Sequence, residues 1–251
     1  MKIMKESDFQ VKVTGLIGGM PESGKTTLSA TMLDDDSMLP ALVVVMDGSE
    51  IVLKKFVGPK FDVVQGSDFE VLEEVITLLD NPGCKYKSVY FDNITHMHRL
   101  MLERSANERG LEVKKGTRTK FKYEQADYGF ARTAMLYLAD SVLKHHKRFN
   151  IFFTCWATSY KSDDNPTGNL ELDLAGKLVN EMSGLFNLVG ALKRDFVKDP
   201  NDPKQRIAKL NLYTQPTHQI EWVRNKGNLL PSIVSNPNLA EIRKVMLSKS
   251  V

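Results

Sequence analysis

The segment Gly19-Met20-Pro21-Glu22-Ser23-Gly24-Lys25-Thr26 constrains this chain more than any other stretch. It fits the pattern G-x-x-x-x-G-K-[ST] without a mismatch. An apolar run, Val11 to Gly18, precedes it, and a helical stretch from about Gly24 to Leu33 follows. A strand, a glycine-rich turn and a helix in that order wrap successive backbone N–H groups around one point. The helix N-terminus adds its positive end, so the turn is an anion cradle. The residue types name the anion. Glycines let the backbone close on a β-phosphate, Lys25 reaches the β- and γ-phosphates, and the Thr26 hydroxyl is a ligand for Mg²⁺. ATP and Mg²⁺ are therefore the expected cofactors, held by Gly19 to Thr26 and by Thr27 just inside the helix.

The rest of the composition narrows the class. The chain has 251 residues, enough for one sizeable α/β domain spanning 1–251. It is 42% hydrophobic and 26% charged, as ordinary globular proteins are. No apolar run reaches the roughly 18 residues that span a bilayer, and MKIMKESDFQ lacks the apolar core of a signal peptide. The cysteines are Cys84 and Cys155, which exclude a disulfide framework or a cysteine-based zinc site. A reducing cytoplasm is the expected compartment. A net charge of +3 does not by itself imply nucleic acid, so the distribution of charge matters more.

Periodicity supplies the other elements. Ala41 to Met46 is an unbroken apolar run, suited to a strand buried on both faces of a parallel sheet. With the first strand and helix it makes a βαβ unit of right-handed crossover. Ser67-Asp68-Phe69-Glu70 has the form of a capping box, and Phe69, Leu72, Val75, Ile76 and Leu79 then recur at helical spacing. Asn81-Pro82-Gly83 ends that helix. A strand Ser88 to Phe91 runs into Asp92. Helices follow over about Thr95–Arg109 and Tyr123–His146, and an apolar strand over Asn150–Thr154. Ser159 to Asn169 is polar and reads as a mobile loop. Leu185–Leu192, Ile207–Thr214 and Gln219–Arg224 read as strands, the first two joined by the turn-rich Lys198–Lys204 as an antiparallel hairpin. Asn238 to Lys249 is a terminal helix. The fold class is α/β, a central mostly parallel sheet flanked by helices with antiparallel C-terminal strands.

Acidic residues at strand ends complete the chemistry. Asp92 closes its strand where a Mg²⁺-binding carboxylate is needed; the competing role is a cap for the next helix. Asp47 and Glu50 leave the end of the buried second strand, on the phosphate-loop edge of a parallel sheet. Either is placed to orient or activate water, and either could instead cap a helix or sit on the surface.

Together these segments resemble the RecA-type P-loop ATPases, in particular the compact phage nucleotide-binding proteins known as Sak-type single-strand annealing ATPases. The similarity runs from about Val11 to Pro231. GMPESGKTT is its phosphate loop, and YKSVYFDNIT resembles its Walker B strand, which implies Mg²⁺ at Asp92 and Thr26. VVVMDGSE resembles the strand that carries the catalytic glutamate, here Glu50, with its acids three apart. YEQADYG resembles the segment ahead of the sensor strand. NIFFTCWATS resembles the sensor strand itself, where Thr154 or Thr158 stands for the usual polar residue. WVRNKGNLLP resembles the segment whose two basic residues, here Arg224 and Lys226, reach a neighbour's ATP. The resemblance implies an ATP-binding, ATP-hydrolysing protein that acts on single-stranded DNA in phage-type homologous recombination or strand annealing. It implies a homo-oligomer, ring or filament, with ATP at subunit interfaces, and a single-strand DNA-binding protein as a partner, in the cytoplasm of a bacterial host.

Between Leu111 and Lys122 stand Lys114, Lys115, Arg118, Lys120 and Lys122, beside Phe121 and Tyr123. Cations of this density neutralise phosphates, and aromatics stack on splayed bases. Composition alone equally describes a solvated loop; position, where the resembled family has its first DNA loop, favours DNA. Ser159 to Asn169 matches the second such loop but carries Asp163 and Asp164. His96 and His98 do not share a helix face, so they read as packing residues rather than metal ligands. His145 and His146 mark a helix end, and Trp156 and Trp222 read as anchors. Two other functions fit the phosphate loop: a slow nucleotide-dependent switch or loader, and a P-loop small-molecule kinase. The second lacks an arginine-rich lid.

Overall fold

The structure is a computed structural model that describes residues 12–66, 68–110, 112–115, 118–162, 165–198 and 205–249. The phosphate loop leaves β1 (Thr14–Gly19), whose every residue is buried, and enters α1 (Lys25–Ser29), which continues as a 3₁₀ turn. Then come β2 (Ala41–Val45), a 3₁₀ helix over Ser49–Phe56, β3 (Phe61–Gln65), α2 (Phe69–Asp80) and β4 (Ser88–Asp92). Next are α3 (Ile94–Glu108), a ribbon of β5 (Glu112–Lys115) with β6 (Arg118–Phe121), and α4 (Gln125–Leu143). The remainder is β7 (Asn150–Ser162), β8 (Asn165–Leu172), α5 (Leu178–Leu185), β9 (Leu188–Lys198), β10 (Arg206–Tyr213), β11 (Arg224–Asn225), β12 (Ile233–Ser235) and α6 (Leu239–Ser248).

The main sheet runs β12-β10-β9-β1-β7-β4-β2-β3. From β9 to β3 all neighbours are parallel. β10, β12, β11 and β8 join antiparallel. β1 lies between β7 and β9, with Gly19 opposite Trp156 on one side and Leu192 on the other. This order sets the phosphate loop at the centre of the sheet's carboxyl edge, where ligands of open α/β sheets bind.

Strand alternation sorts the apolar side chains into two cores. Leu16, Val44, Phe91 and Phe153 face α2, α3, α4 and α5 through Leu72, Met101, Met135 and Met182. Ile17, Val43, Tyr90 and Phe152 face the opposite way, onto Leu28 and Met32 beside α1 and onto Ile242 of α6. Each such buried side chain contributes about 1.5–3 kcal/mol of transfer free energy. The unbroken apolar run of β2 is thus explained by coverage on both faces.

Several expectations are corrected. Ser159–Asn169 is not a loop: β7 and β8 pair through it, with Thr158 opposite Glu171 and Tyr160 opposite Asn169. Thr158, Ser159 and Tyr160 are exposed, which suits their polarity, while Leu170 on the return strand packs beside Trp222. Asp163 and Asp164 lie outside the described residues. The Leu185–Leu192 strand begins three residues late, because α5 occupies Leu178–Leu185, and β9 runs on to Lys198. Residues 199–204 also lie outside the described residues, but β9 and β10 are antiparallel as expected. Gln219–Arg224 is mostly irregular, with β11 only Arg224–Asn225. Asp68, not Ser67, caps α2, its carboxylate accepting from Val71 N at 3.1 Å; Ser67 lies outside the described residues.

The basic stretch forms the β5–β6 ribbon, with Lys115 opposite Arg118. The side chains of Lys114, Lys115, Arg118 and Lys120 lie outside the described residues, and Lys122 is exposed. One ionic cluster closes the ribbon's two ends. Arg109, at the end of α3, donates to Glu124 at 3.1 Å and to both carboxylate oxygens of Asp127 at the start of α4. Asp127 is fully buried and also accepts from Ser105 Oγ at 2.7 Å and from the Glu124 backbone N–H. The YEQADYG segment is therefore a helix start that clamps the ribbon.

Candidate active site

The loop's geometry follows from its glycines. Gly24 sits at φ +98°, in the left-handed region where other residues are strained, and turns the chain into α1. At Gly19 an added Cβ would lie 2.7 Å from the Leu192 carbonyl, so the loop packs backbone to backbone against β9. Met20, Pro21 and Glu22 face outward and are exposed, while Ser23 and Lys25 are buried.

Lys25 curls over its own loop. Its ammonium donates to the carbonyls of Gly19 at 2.8 Å and Met20 at 2.9 Å. Burial lowers its pKa, opposed by the attraction of Asp92. The Tyr90 hydroxyl, on β4, donates to the Lys25 carbonyl at 2.6 Å and pins the start of α1 to the sheet.

Asp92 ends β4 and is 1% exposed. The Thr26 hydroxyl donates to one of its oxygens at 2.5 Å and the Thr154 hydroxyl, from β7, to the other at 2.5 Å. Burial raises the Asp92 carboxyl above the ordinary carboxylate range, against the lowering effect of these two hydroxyls. The helix-capping role proposed as the alternative belongs to the next residue, since Asn93 Oδ1 accepts from His96 N at 2.9 Å. Asn93 Nδ2 in turn donates to Asp47 at 2.5 Å.

A cavity of about 410 Å³ opens at this point, lined by Gly24, Lys25, Thr26, Asp47, Asp92 and Arg194 among others. No group of three or more His, Cys, Asp or Glu side chains fit to hold a metal occurs among the described residues. Thr26 and Asp92 fit Mg²⁺ in another way. That ion takes one or two protein oxygens and completes its shell with substrate phosphates and water. The short Thr26–Asp92 contact brings those two oxygens together. When bound, the ion would neutralise charge on the phosphates.

The candidate acids separate. Asp47 lines the cavity. Glu50, on the following 3₁₀ helix, does not, and its Oε2 is buried without a hydrogen-bond partner among the described residues. Thr154 and Thr158 separate likewise: Thr154 touches Asp92, while Thr158 is exposed on the hairpin. Thr27 lines the cavity too.

Arg224 and Lys226 are away from the chain's own phosphate site. Arg224 pairs with Val189, three residues below Leu192 and Gly19, or roughly 10 Å along the strand at 3.3 Å per residue. Its guanidinium donates to the Ser183 carbonyl near the end of α5, and its Nε is buried without a partner among the described residues. Lys226 starts a 3₁₀ turn, so strand alternation does not align the pair as expected. The two cations remain close enough that Arg224 helps burial lower the Lys226 pKa.

Sequence reasoning missed Tyr90, Asn93 and Arg194 in this site. Asn93 adjoins Asp92 and was findable by adjacency. Arg194 gave no signal, because only sheet order brings β9 beside the loop.

This fold and site define a P-loop nucleotide-binding domain. The chain belongs to the AAA domain family, whose model matches residues 11–221. Among solved structures it is similar to the RadB recombinase, with a TM-score of 0.42 and 16% identity over 85% of each chain. It is also similar to the flagellar accessory protein FlaH from Methanocaldococcus jannaschii, with a TM-score of 0.41 and 9% identity over 90% of each chain. No curated protein matches the sequence. No helix among the described residues is long and apolar enough to cross a membrane.

Proposed function

We propose that this chain binds ATP with Mg²⁺, hydrolyses it, and uses the cycle to act on single-stranded DNA in phage-type recombination or strand annealing. In this reading it works as a homo-oligomer, ring or filament, with Arg224 and Lys226 serving a neighbour's ATP, and alongside a single-strand DNA-binding protein. The observation that carries the reading is one strand. β7 holds Asp92 through Thr154 and continues as one strand to Ser162 in the hairpin with β8, whose register shifts between Tyr160 and Ser162. A change at the phosphates is thus linked along a single strand to that hairpin. At the hairpin's foot Asp173 pairs with Arg99 of α3 at 2.6 Å. Asp173 and Tyr123, two residues past the basic ribbon, line one cavity of about 360 Å³. The hairpin and the ribbon both approach this cavity at their bases, which supports a shared nucleic-acid surface.

ATP turnover measured with and without single-stranded DNA tests this reading. Stimulation by DNA is expected. Equal rates, with no retention of the DNA, would overturn the DNA part. A switch or loader with slow turnover is the second reading, favoured by the position of Glu50 outside the phosphate cavity. Tight ATP binding without appreciable turnover selects it.

A further inference from the structure

We infer that Arg194 is the residue with which this chain distinguishes a nucleoside triphosphate from a diphosphate. The inference rests on the phosphate site proposed above and adds a ligand contact within the same chain. It starts from sheet order. β9 is the parallel neighbour of β1, and Leu192 stands opposite Gly19, the last residue before the loop turns away. Two residues further, strand alternation returns the side chain to the Leu192 face. That face belongs to the core shared with Leu28 of α1, so Arg194 projects on the side where the phosphate loop lies. Its opposite residue on β10 is Leu210, whose Cδ2 comes within 3.8 Å of where a Cβ on Gly24 would be.

The side chain accordingly lines the phosphate cavity together with Lys25, Thr26 and Asp92. It also forms the wall toward a second, more apolar cavity of about 330 Å³ behind Met20 and Pro21. Among the described residues Arg194 has no ion-pair or hydrogen-bond partner for its guanidinium. The adjacent carboxylate cannot serve it: Asp195 points the other way, to Asn211 at 2.6 Å, Tyr213 at 2.7 Å and Lys193 at 3.5 Å. A paired strand thus presents a planar, permanently charged fork to a cavity built for phosphates. The loop amides serve the β-phosphate, which both nucleotides carry, and Lys25 reaches from it toward the γ-phosphate. The added charge of the γ-phosphate is what a second cation at the rim recognises.

The test is equilibrium binding of Mg²⁺–ADP and of a Mg²⁺-bound non-hydrolysable ATP analogue to the wild type, Arg194→Ala and Arg194→Lys. A charge-assisted hydrogen bond of this kind corresponds to about tenfold or more in affinity. The alanine variant should therefore lose about tenfold or more for the ATP analogue and less than about twofold for ADP. Lysine should recover part of the loss. Because Arg194 is exposed, both variants should melt with the wild type. An unchanged ratio of the two affinities overturns the role of Arg194 and leaves the phosphate site standing. A wild type that binds neither nucleotide overturns both.

Discussion

The Thr26 hydroxyl lies 2.5 Å from the Asp92 carboxylate, joining residues 66 apart in sequence. One is the last residue of the phosphate-loop motif and the other the end of a separate strand. Their contact brings together the two protein oxygens of the expected Mg²⁺ site. It also leaves a buried carboxylate whose remaining oxygen depends on Thr154.

Asp92→Asn should separate metal binding from folding. Burial holds the Asp92 carboxyl above its ordinary pKa. A carboxyl with a raised folded pKa binds its proton more tightly folded than unfolded. Ionising it above that pKa therefore costs stability, and the cost fades as pH falls through the folded value. The ligand-free variant should melt at or above the wild type near neutral pH, with the gap narrowing in acid. Titrating nucleotide with and without Mg²⁺ should find that the variant has lost the Mg²⁺-dependent part. A variant that keeps the full Mg²⁺ effect would reduce Asp92 to a structural role.

Lys25→Ala removes the cation buried in the phosphate loop. Loss of a charge-assisted contact to phosphate corresponds to roughly 10–100-fold in affinity. Nucleotide binding by calorimetry should weaken by that much, for ADP as well as ATP. Equal affinity in mutant and wild type would sink the assignment.

Replacing Lys114, Lys115, Arg118, Lys120 and Lys122 with serine should weaken single-stranded DNA binding and flatten its salt dependence. Each lost phosphate contact removes about 0.7 from the slope of log K against log salt. A slope identical to the wild type would mean the ribbon is a solvated surface.

Arg224→Ala with Lys226→Ala should leave ATP binding intact, since neither side chain lines the chain's own cavity. DNA-stimulated turnover should fall, and mixing with Lys25→Ala chains should restore part of it if ATP is shared between subunits. Arg224 also bonds the end of α5, so the variant's melting temperature must be measured beside its activity. Normal turnover by the double variant alone, or an inactive mixture in which mixed oligomers demonstrably form, would end the shared-site idea.

Arg109→Ala should release the basic ribbon from its clamp. Asp127 is buried and takes Arg109 on both oxygens, so removing the cation leaves a buried carboxylate short of partners. The melting temperature should drop by several degrees, and amide exchange should rise in β5 and β6. Unchanged exchange there would show that the ribbon does not depend on the clamp.

The amino-acid sequence by itself determined the phosphate loop, its flanking strand and helix, the Asp92 strand and the C-terminal antiparallel strands. All of these rest on local rules: a motif that needs glycine at fixed positions, apolar runs that need two covered faces, and turn residues between strands. Three things were decided only by tertiary structure. The Ser159–Asn169 hairpin looked like a loop because its polar residues carry no apolar alternation, and its strands are defined by the pairing of β7 with β8. Asp47 and Glu50 could not be ranked from spacing, because a 3₁₀ turn after β2 sends them in different directions. Arg194 carried no local signal at all. It reaches the phosphate cavity only because β9, far along the chain, pairs beside β1, and such long-range pairing is fixed by the packing of the whole sheet.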